Sequence, residues 1–244
     1  MLRTLSAALR STSRHPREKY RAYSDVTSHA GDFHFVPDFF SLPEQRTLLS
    51  ASLQKLDQTE PRSMQRRRKR LLASSKTSRD SGLIQDVFLP DEYYQFEDGH
   101  FDGVIRRFRE MHVSSWDDVD SPALAKALSR LGPLYPTEAD TQTHLLHLAS
   151  DGEIDPHVDN LDASGSWILG VSLGADRVLH IEPVKGEGSQ DAFDVLLPSG
   201  SVYVQKNSVR YSCNHSVLRP SSFRGKELVL GQRMSLIIRD RKAV

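Results

Sequence analysis

One cysteine, Cys213, occurs in the 244 residues. That excludes an intrachain disulfide and a cysteine-based zinc cluster. It stands two residues before His215, and with no accompanying His/Asn arrangement it reads as a small strand residue rather than a nucleophile. Long hydrophobic runs are also missing. None approaches the roughly 18 apolar residues of a membrane-spanning helix, and the mean hydropathy is −0.48. Net charge is absent, with 32 basic against 32 acidic residues, but the balance is uneven. Residues 1–23 are nearly devoid of acids, Glu18 standing alone among Arg3, Arg10, Arg14, Arg17, Lys19 and Arg21. A basic, Ser- and Ala-rich, acid-poor start predicts a mitochondrial transit peptide over residues 1–23. Arg21-Ala-Tyr-Ser24 places cleavage after Tyr23, with 24–32 a linker. The remainder would carry 26 bases against 31 acids, a net charge of −5, which argues against strong nonspecific nucleic-acid binding.

What is present suits one domain with a full core, over residues 33–241. Phe33, Phe35 and Val36 suggest a short strand. Ser41 and Glu44 have the capping-box spacing of a helix start, and Leu48, Leu49, Leu53 and Leu56 form its buried stripe. Arg62 to Arg70 holds six bases in nine residues. It reads as a solvated loop or helix face, with an anionic-partner patch as the alternative, and the stretch on to Asp80 lacks apolar periodicity. Residues 91–120 are expected to run from an aromatic-rich loop into a helix, Phe101, Val104, Ile105 and Phe108 having helical spacing. A helix from about Asp120 to Leu131 starts with proline in its first turn.

From Thr141 the period changes to two. Thr143, Leu145 and His147 alternate with His144, Leu146 and Leu148, up to a turn at Ser150-Asp-Gly152. Strands are expected at 154–159, 166–173, 177–182, 193–197, 201–205, 210–216 and 234–239. Many short strands preceded by helices predict an α+β, mainly β fold: a double-stranded β-helix, or jelly roll, over about 141–241, with N-terminal helices packed on one sheet.

Within that barrel, His157-Val-Asp159, then His215, then Arg233-Met-Ser-Leu-Ile-Ile-Arg239 follow one another at strand ends. Two histidines and a carboxylate are the facial triad of a non-haem Fe(II) that keeps open positions for other ligands. In a strand, i and i+2 share a side, so His157 and Asp159 can reach one metal. By the same parity Arg233, Ser235, Ile237 and Arg239 share a face, with Met234, Leu236 and Ile238 turned to the core. Paired guanidiniums suit a dicarboxylate. His-x-Asp alone is weak, and the chain holds a second match, His100-Phe-Asp102, which reads as a helix start with Asp102 favouring the dipole. His180, inside an alternating strand, is the rival distal ligand and reads as structural or as a support to a ligand.

The ordered set His-x-Asp, distal His and Arg-x5-Arg resembles the AlkB-like family of Fe(II)/2-oxoglutarate dioxygenases, and within it the mitochondrial branch, AlkB homologue seven. Asp155-Pro-His-Val-Asp159, Gly170-Val-Ser-Leu173, Pro198-Ser-Gly-Ser-Val-Tyr203 and Arg210-Tyr-Ser-Cys-Asn-His215 carry the likeness, which reaches upstream through Tyr93–Phe108 to Trp116. The resemblance implies Fe(II) on His157, Asp159 and His215, 2-oxoglutarate chelating it with Arg233 on the distal carboxylate, and O2 as the oxidant. It further implies hydrogen bonds from Tyr203 and Ser235, and Arg239 stabilising Asp159 and the metal-proximal end. One departure stands out. DNA-repair members carry Asn-x-Tyr upstream of the first ligand, where this chain has Leu146 and Leu148, and no nucleotide-recognition lid is evident.

Three functions compete. The first is a hydroxylase of a protein substrate in the mitochondrial matrix, in keeping with the missing Asn-x-Tyr and the acidic remainder. The second is an N-demethylase of mitochondrial RNA (tRNA), in keeping with Arg62–Arg70 and the aromatic stretch. The third is a non-catalytic module that senses 2-oxoglutarate or binds a partner. An association with fatty acid metabolism and programmed necrosis is implied by the resemblance alone.

Overall fold

The computed structural model describes residues 31–74, 82–136, 140–161, 165–185, 191–219 and 222–241. The transit-peptide expectation and nearly all of the linker therefore lie outside the described residues, as do residues 75–81 of the aperiodic stretch. Strand β1 (Phe33–Val36) leads to helix α1 (Leu42–Thr59). The expected cap is in place: the Glu44 carboxylate accepts both the Ser41 backbone N–H and its hydroxyl. Leu48, Leu49 and Leu56 are fully buried on the inner face of α1, each contributing about 1.5–3 kcal/mol of transfer free energy.

Helix α2 (Arg62–Ser74) corrects the reading of the basic stretch as a possible loop. Its cations do not all face water. Arg68 is buried and pairs with Asp57 of α1 and with Glu60, which caps its C-terminal end, while Arg62, Arg66, Arg67, Lys69 and Arg70 are exposed. Periodicity could not separate Arg68 from its neighbours, because its burial depends on acids contributed by another helix.

The helix expected after Phe101 is absent. Strands β2 (Glu97–Gly99) and β3 (Ile105–Val113) form a hairpin instead. β3 adds to the sheet edge along strand β4 (Thr141–His157), so Val104, Ile105 and Phe108 are satisfied by pairing and barrel packing rather than by a helical stripe. Helix α3 (Pro122–Ser129) is as expected, with the Ser121 hydroxyl accepting the Leu124 N–H.

β4 runs unbroken for 17 residues through the expected turn at 150–152. The Gly152 signal marks an irregularity: the register with β3 shifts between Arg106 and Phe108, and Arg107 has φ 52°. A Cβ on Gly152 would sit 2.5 Å from the Arg107 carbonyl oxygen, so only glycine allows this approach. The distortion lets β4 serve two sheets. Its first half pairs with strand β12 (Arg233–Asp240), and its end pairs with strand β9 (Cys213–Leu218).

The remaining strands are β5 (Trp167–Gly174), β6 (Arg177–Pro183), β7 (Phe193–Leu197) and β8 (Ser201–Lys206). Short helix α4 (Asn207–Ser212) occupies the start of what was expected to be the 210–216 strand. A separate two-stranded ribbon joins β10 (Ser222–Phe223) to β11 (Lys226–Glu227). The strand order β1-β8-β5-β12-β4-β9-β6-β7 is antiparallel throughout. It amounts to two layers, the five-stranded β1-β8-β5-β12-β4 and the four-stranded β4-β9-β6-β7, hinged on β4. That is the curled jelly-roll arrangement expected.

Strand parity divides the core in two. Leu169 and Val171 of β5, Val202 and Val204 of β8, and Met234, Leu236 and Ile238 of β12 pack under the helices. Leu146 and Leu148, Leu179 and Ile181, Val195, Leu197 and Val217 fill the space between the layers. Among the described residues no helix is long and apolar enough to cross a membrane.

Candidate metal centre

His157 is the last residue of β4, and the strand register sets it directly opposite His215 of β9. Asp159 lies just beyond the strand end, so the expected i, i+2 pairing holds as a convergence of side chains rather than along a continuous strand. The three offer one ligand atom each within 4.8 Å of one another. His157 Nε2 is 3.5 Å from one Asp159 carboxylate oxygen and His215 Nε2 is 3.8 Å from the other. The two rings have centroids 4.3 Å apart. His157 Nδ1 lies 2.9 Å from the Asp155 carbonyl, so Nδ1 carries the donated proton and Nε2 faces the cluster.

The electrostatics fit a cation site. Burial lowers the His215 pKa to about 4, which keeps its ring neutral with lone pairs available. Burial disfavours the charged Asp159 carboxylate, yet its electrostatic interactions with His215, His157 and Arg210, with the His157 hydrogen bond, hold its pKa well below the ordinary range. For His157 burial works against protonation, and the Asp159 carboxylate with the Asp155 carbonyl outweighs it and raises the pKa. A carboxylate between two imidazoles, with one imidazole kept neutral, is the donor set a divalent transition metal takes.

β12 lays Arg233, Ser235, Ile237 and Arg239 along the same cavity, of about 450 Å³, that the triad lines. Arg233 is 2% exposed, and its Nε donates to the Ser172 hydroxyl at 3.0 Å. Burial depresses its pKa to about 10, and among the described residues no carboxylate pairs with it. A buried guanidinium without an internal anion is costly unless a ligand supplies one. Tyr203 reaches the same cavity from β8, lying across Gly170 of β5, where an added Cβ would come within 2.4 Å of the ring. Burial raises the Tyr203 pKa, so the phenol stays a neutral donor.

Sequence reasoning missed two features. Arg210 of α4 is buried and donates to the Asp159 and Asn160 carbonyls at 3.2 and 3.4 Å. This guanidinium, five residues before His215, fixes the Asp159 backbone, whereas Arg239 has no bond to Asp159 among the described contacts. The helix that aims it was not visible in the pattern. The second feature is His100-Phe-Asp102, set aside as a helix start. It forms the β2–β3 turn and lines the cavity together with Glu110, His112 and His144. His180 lies elsewhere: it pairs across β9 with Ser216, one position off His215, so its side chain points to the opposite face, toward Asp194 at 2.7 Å.

A family model described as "2OG-Fe(II) oxygenase superfamily" matches residues 32–239. Two curated relatives, from Mus musculus and Bos taurus, bear the name "Alpha-ketoglutarate-dependent dioxygenase alkB homolog 7, mitochondrial". The chain is 34% and 32% identical to them over 149 residues, 60% of this chain. The match spans 66% of each relative, just under two thirds of its length. Among solved structures, a prolyl-4-hydroxylase from Pseudomonas putida aligns over 88% of this chain and 96% of its own at 12% identity, TM-score 0.46. The structure of OsALKBH1 aligns over 86% and 98% at 16% identity, TM-score 0.47. With the family match covering the helices, both sheet layers and every residue of the triad, the chain belongs to the 2OG-Fe(II) oxygenase superfamily, whose members use Fe(II), 2-oxoglutarate and O2.

Proposed function

We propose that this chain is an Fe(II)/2-oxoglutarate-dependent dioxygenase of the mitochondrial matrix that hydroxylates a C–H bond of a protein substrate. The observation that carries the proposal is the meeting, in one cavity, of a His157–Asp159–His215 cluster and a buried Arg233 that no carboxylate of the described residues pairs with. The triad would hold Fe(II), and Arg233 would take the distal carboxylate of 2-oxoglutarate. Bound together, these groups supply the oxygen chemistry, in which 2-oxoglutarate and O2 give succinate, carbon dioxide and one oxygen atom for the substrate.

The protein's own part is geometry and charge. The Asp155 carbonyl fixes the His157 tautomer, and Arg210 holds the Asp159 backbone through its carbonyl. Ser172 sets the Arg233 fork, with Ser235 and the neutral Tyr203 hydroxyl as donors beside it. Arg239, at the other end of the β12 face, supplies a second positive group toward the metal-proximal end. The apolar packing between the layers excludes water. Matrix residence is supported by the composition of residues 1–23 and by the word "mitochondrial" in the relatives' names.

The exposed cations of α2 favour a second reading, N-demethylation of RNA. Mass spectrometry separates the two after turnover with Fe(II), 2-oxoglutarate and O2. A protein substrate gains one oxygen atom, and an RNA substrate loses a methyl group with release of formaldehyde. RNA binding that weakens steeply with salt, together with demethylation and no protein hydroxylation, would overturn the protein reading.

A further inference from the structure

The cavity has two chemically different ends. Arg233, Ser235, Tyr203 and Gln205 form one, which suits an anion. The other is built by the β2–β3 turn, β3 and β4, which contribute His100, Phe101, Asp102, Glu110, His112 and His144. Its two carboxylates differ from those on the helix side of the protein. Glu60 and Asp57 meet the guanidiniums of Arg68 and Arg109, and Glu44 meets Arg130. Among the described residues Glu110 has ion-pair contacts only with imidazoles, His144 Nε2 at 3.0 Å and His100 Nε2 at 3.5 Å, and Asp102 only with His100 Nδ1 at 2.8 Å. Imidazoles supply hydrogen bonds without a permanent charge. Both carboxyls nonetheless titrate below their ordinary values, each against the effect of burial: Glu110 through its bond to His144, Asp102 through the Val104 N–H and His100. Asp102 also lies close enough to His157 for their charges to interact.

Beside them Phe101 is 93% exposed at the tip of the turn, its ring 4.1 Å from that of His100. At the cavity wall this ring is open to a ligand, and its face attracts a cation. We propose that this wall selects the substrate, Glu110 receiving the ammonium or guanidinium of a lysine or arginine side chain of a peptide while Phe101 covers the aliphatic stem. The inference rests on the dioxygenase reading and names its substrate class. A flipped nucleobase, by contrast, is gripped between ring faces. Of the Phe, Tyr and Trp side chains in the lining, Tyr203 is stacked on Phe33 and packed on Gly170, which leaves Phe101 beside the histidine imidazoles.

The test is equilibrium binding to the full chain loaded with Mn(II) and 2-oxoglutarate without oxygen. Three short peptides are compared, differing at one position: lysine, norleucine or glutamate. The lysine peptide should bind about tenfold tighter than norleucine, the effect of one charge-assisted pair. Glu110→Lys should reverse the order so that the glutamate peptide binds best, a rescue that a misfolded variant cannot produce. Equal binding of all three peptides by the wild type, or an unchanged order in Glu110→Lys, overturns the proposal. So does binding of an N-methylated cationic nucleoside in preference to the lysine peptide. Titration of 2-oxoglutarate in the same samples separates the two levels. If it binds and the peptides are not discriminated, only this inference fails; if it does not bind, the dioxygenase reading fails.

Discussion

Arg233 and His180 show how much depends on a single position's parity. Arg233 sits on the inward register of β12, buried and with no carboxylate partner among the described residues, and Arg233→Ala should remove the charge-assisted bonds to the cosubstrate. Such bonds are worth about 1.5–3 kcal/mol, so 2-oxoglutarate affinity should fall roughly 10- to 100-fold by calorimetry. His180 is one register step off His215 and faces Asp194. Fe(II) affinity should therefore survive His180→Ala and be lost in His215→Ala. If His180→Ala lost iron as well, the ligand assignment would be wrong. These positions were legible in the sequence because strand parity depends only on counting. The face Arg233, Ser235, Ile237, Arg239 lies toward the cavity and Met234, Leu236, Ile238 toward the helices, as alternation requires. Arg210 was not legible, since its reach to the Asp159 carbonyl depends on a six-residue helix between two strands.

Elements were read well where local chemistry decides and poorly where distant partners do. The start of α1 was visible because Ser41 and Glu44 act on each other. The Glu44 carboxyl titrates at about 2 rather than 4.5 in the folded state, through its bonds to Ser41 and Arg130. A depressed carboxyl adds stability above its unfolded value, and that stability is lost as the pH falls toward the folded one. Glu44→Gln should therefore lower the Tm by about 2–4 °C at neutral pH, as expected for a cap worth about 1 kcal/mol. The wild-type and variant melting curves should converge as the pH approaches 2. Helix α2 is the contrary case. Arg68, inside a run of like residues, joins Asp57, Glu60 and the Tyr93 carbonyl. Arg68→Ala would leave the half-buried Asp57 and Glu60 to Arg109 alone and open a gap where the buried guanidinium packs, at a cost of about 2 kcal/mol, and the Tm should fall on the order of 4–8 °C. Arg66→Ala, on the exposed face, should stay within about 0.5 kcal/mol of wild type in denaturant unfolding. The hairpin mistaken for a helix over 100–108 belongs to the same class. Phe101, Val104, Ile105 and Phe108 have helical spacing, but β3 gains a full row of pairs along β4, a partner invisible to a local window.

At the scale of the molecule, the jelly roll works by giving one strand to both layers. β4 starts under the helices beside β12 and ends beside β9, and the distortion at Gly152 makes that crossing possible. The crossing carries His157 to its place opposite His215, while β12 brings Arg233 and Arg239 along the same wall. The site is therefore a product of topology, and its parts lie at 157–159, 210–215 and 233–239 because those are the strand ends that meet. The most direct test follows from this convergence. Succinate release is measured on adding oxygen to protein loaded anaerobically with Fe(II) and 2-oxoglutarate, with His157→Ala and Arg233→Ala beside the wild type. The account predicts succinate from the wild type even without substrate, none from His157→Ala, and none from Arg233→Ala unless 2-oxoglutarate is raised roughly 10- to 100-fold. Cosubstrate binding without turnover under any condition, or succinate release that both variants retain, would contradict it.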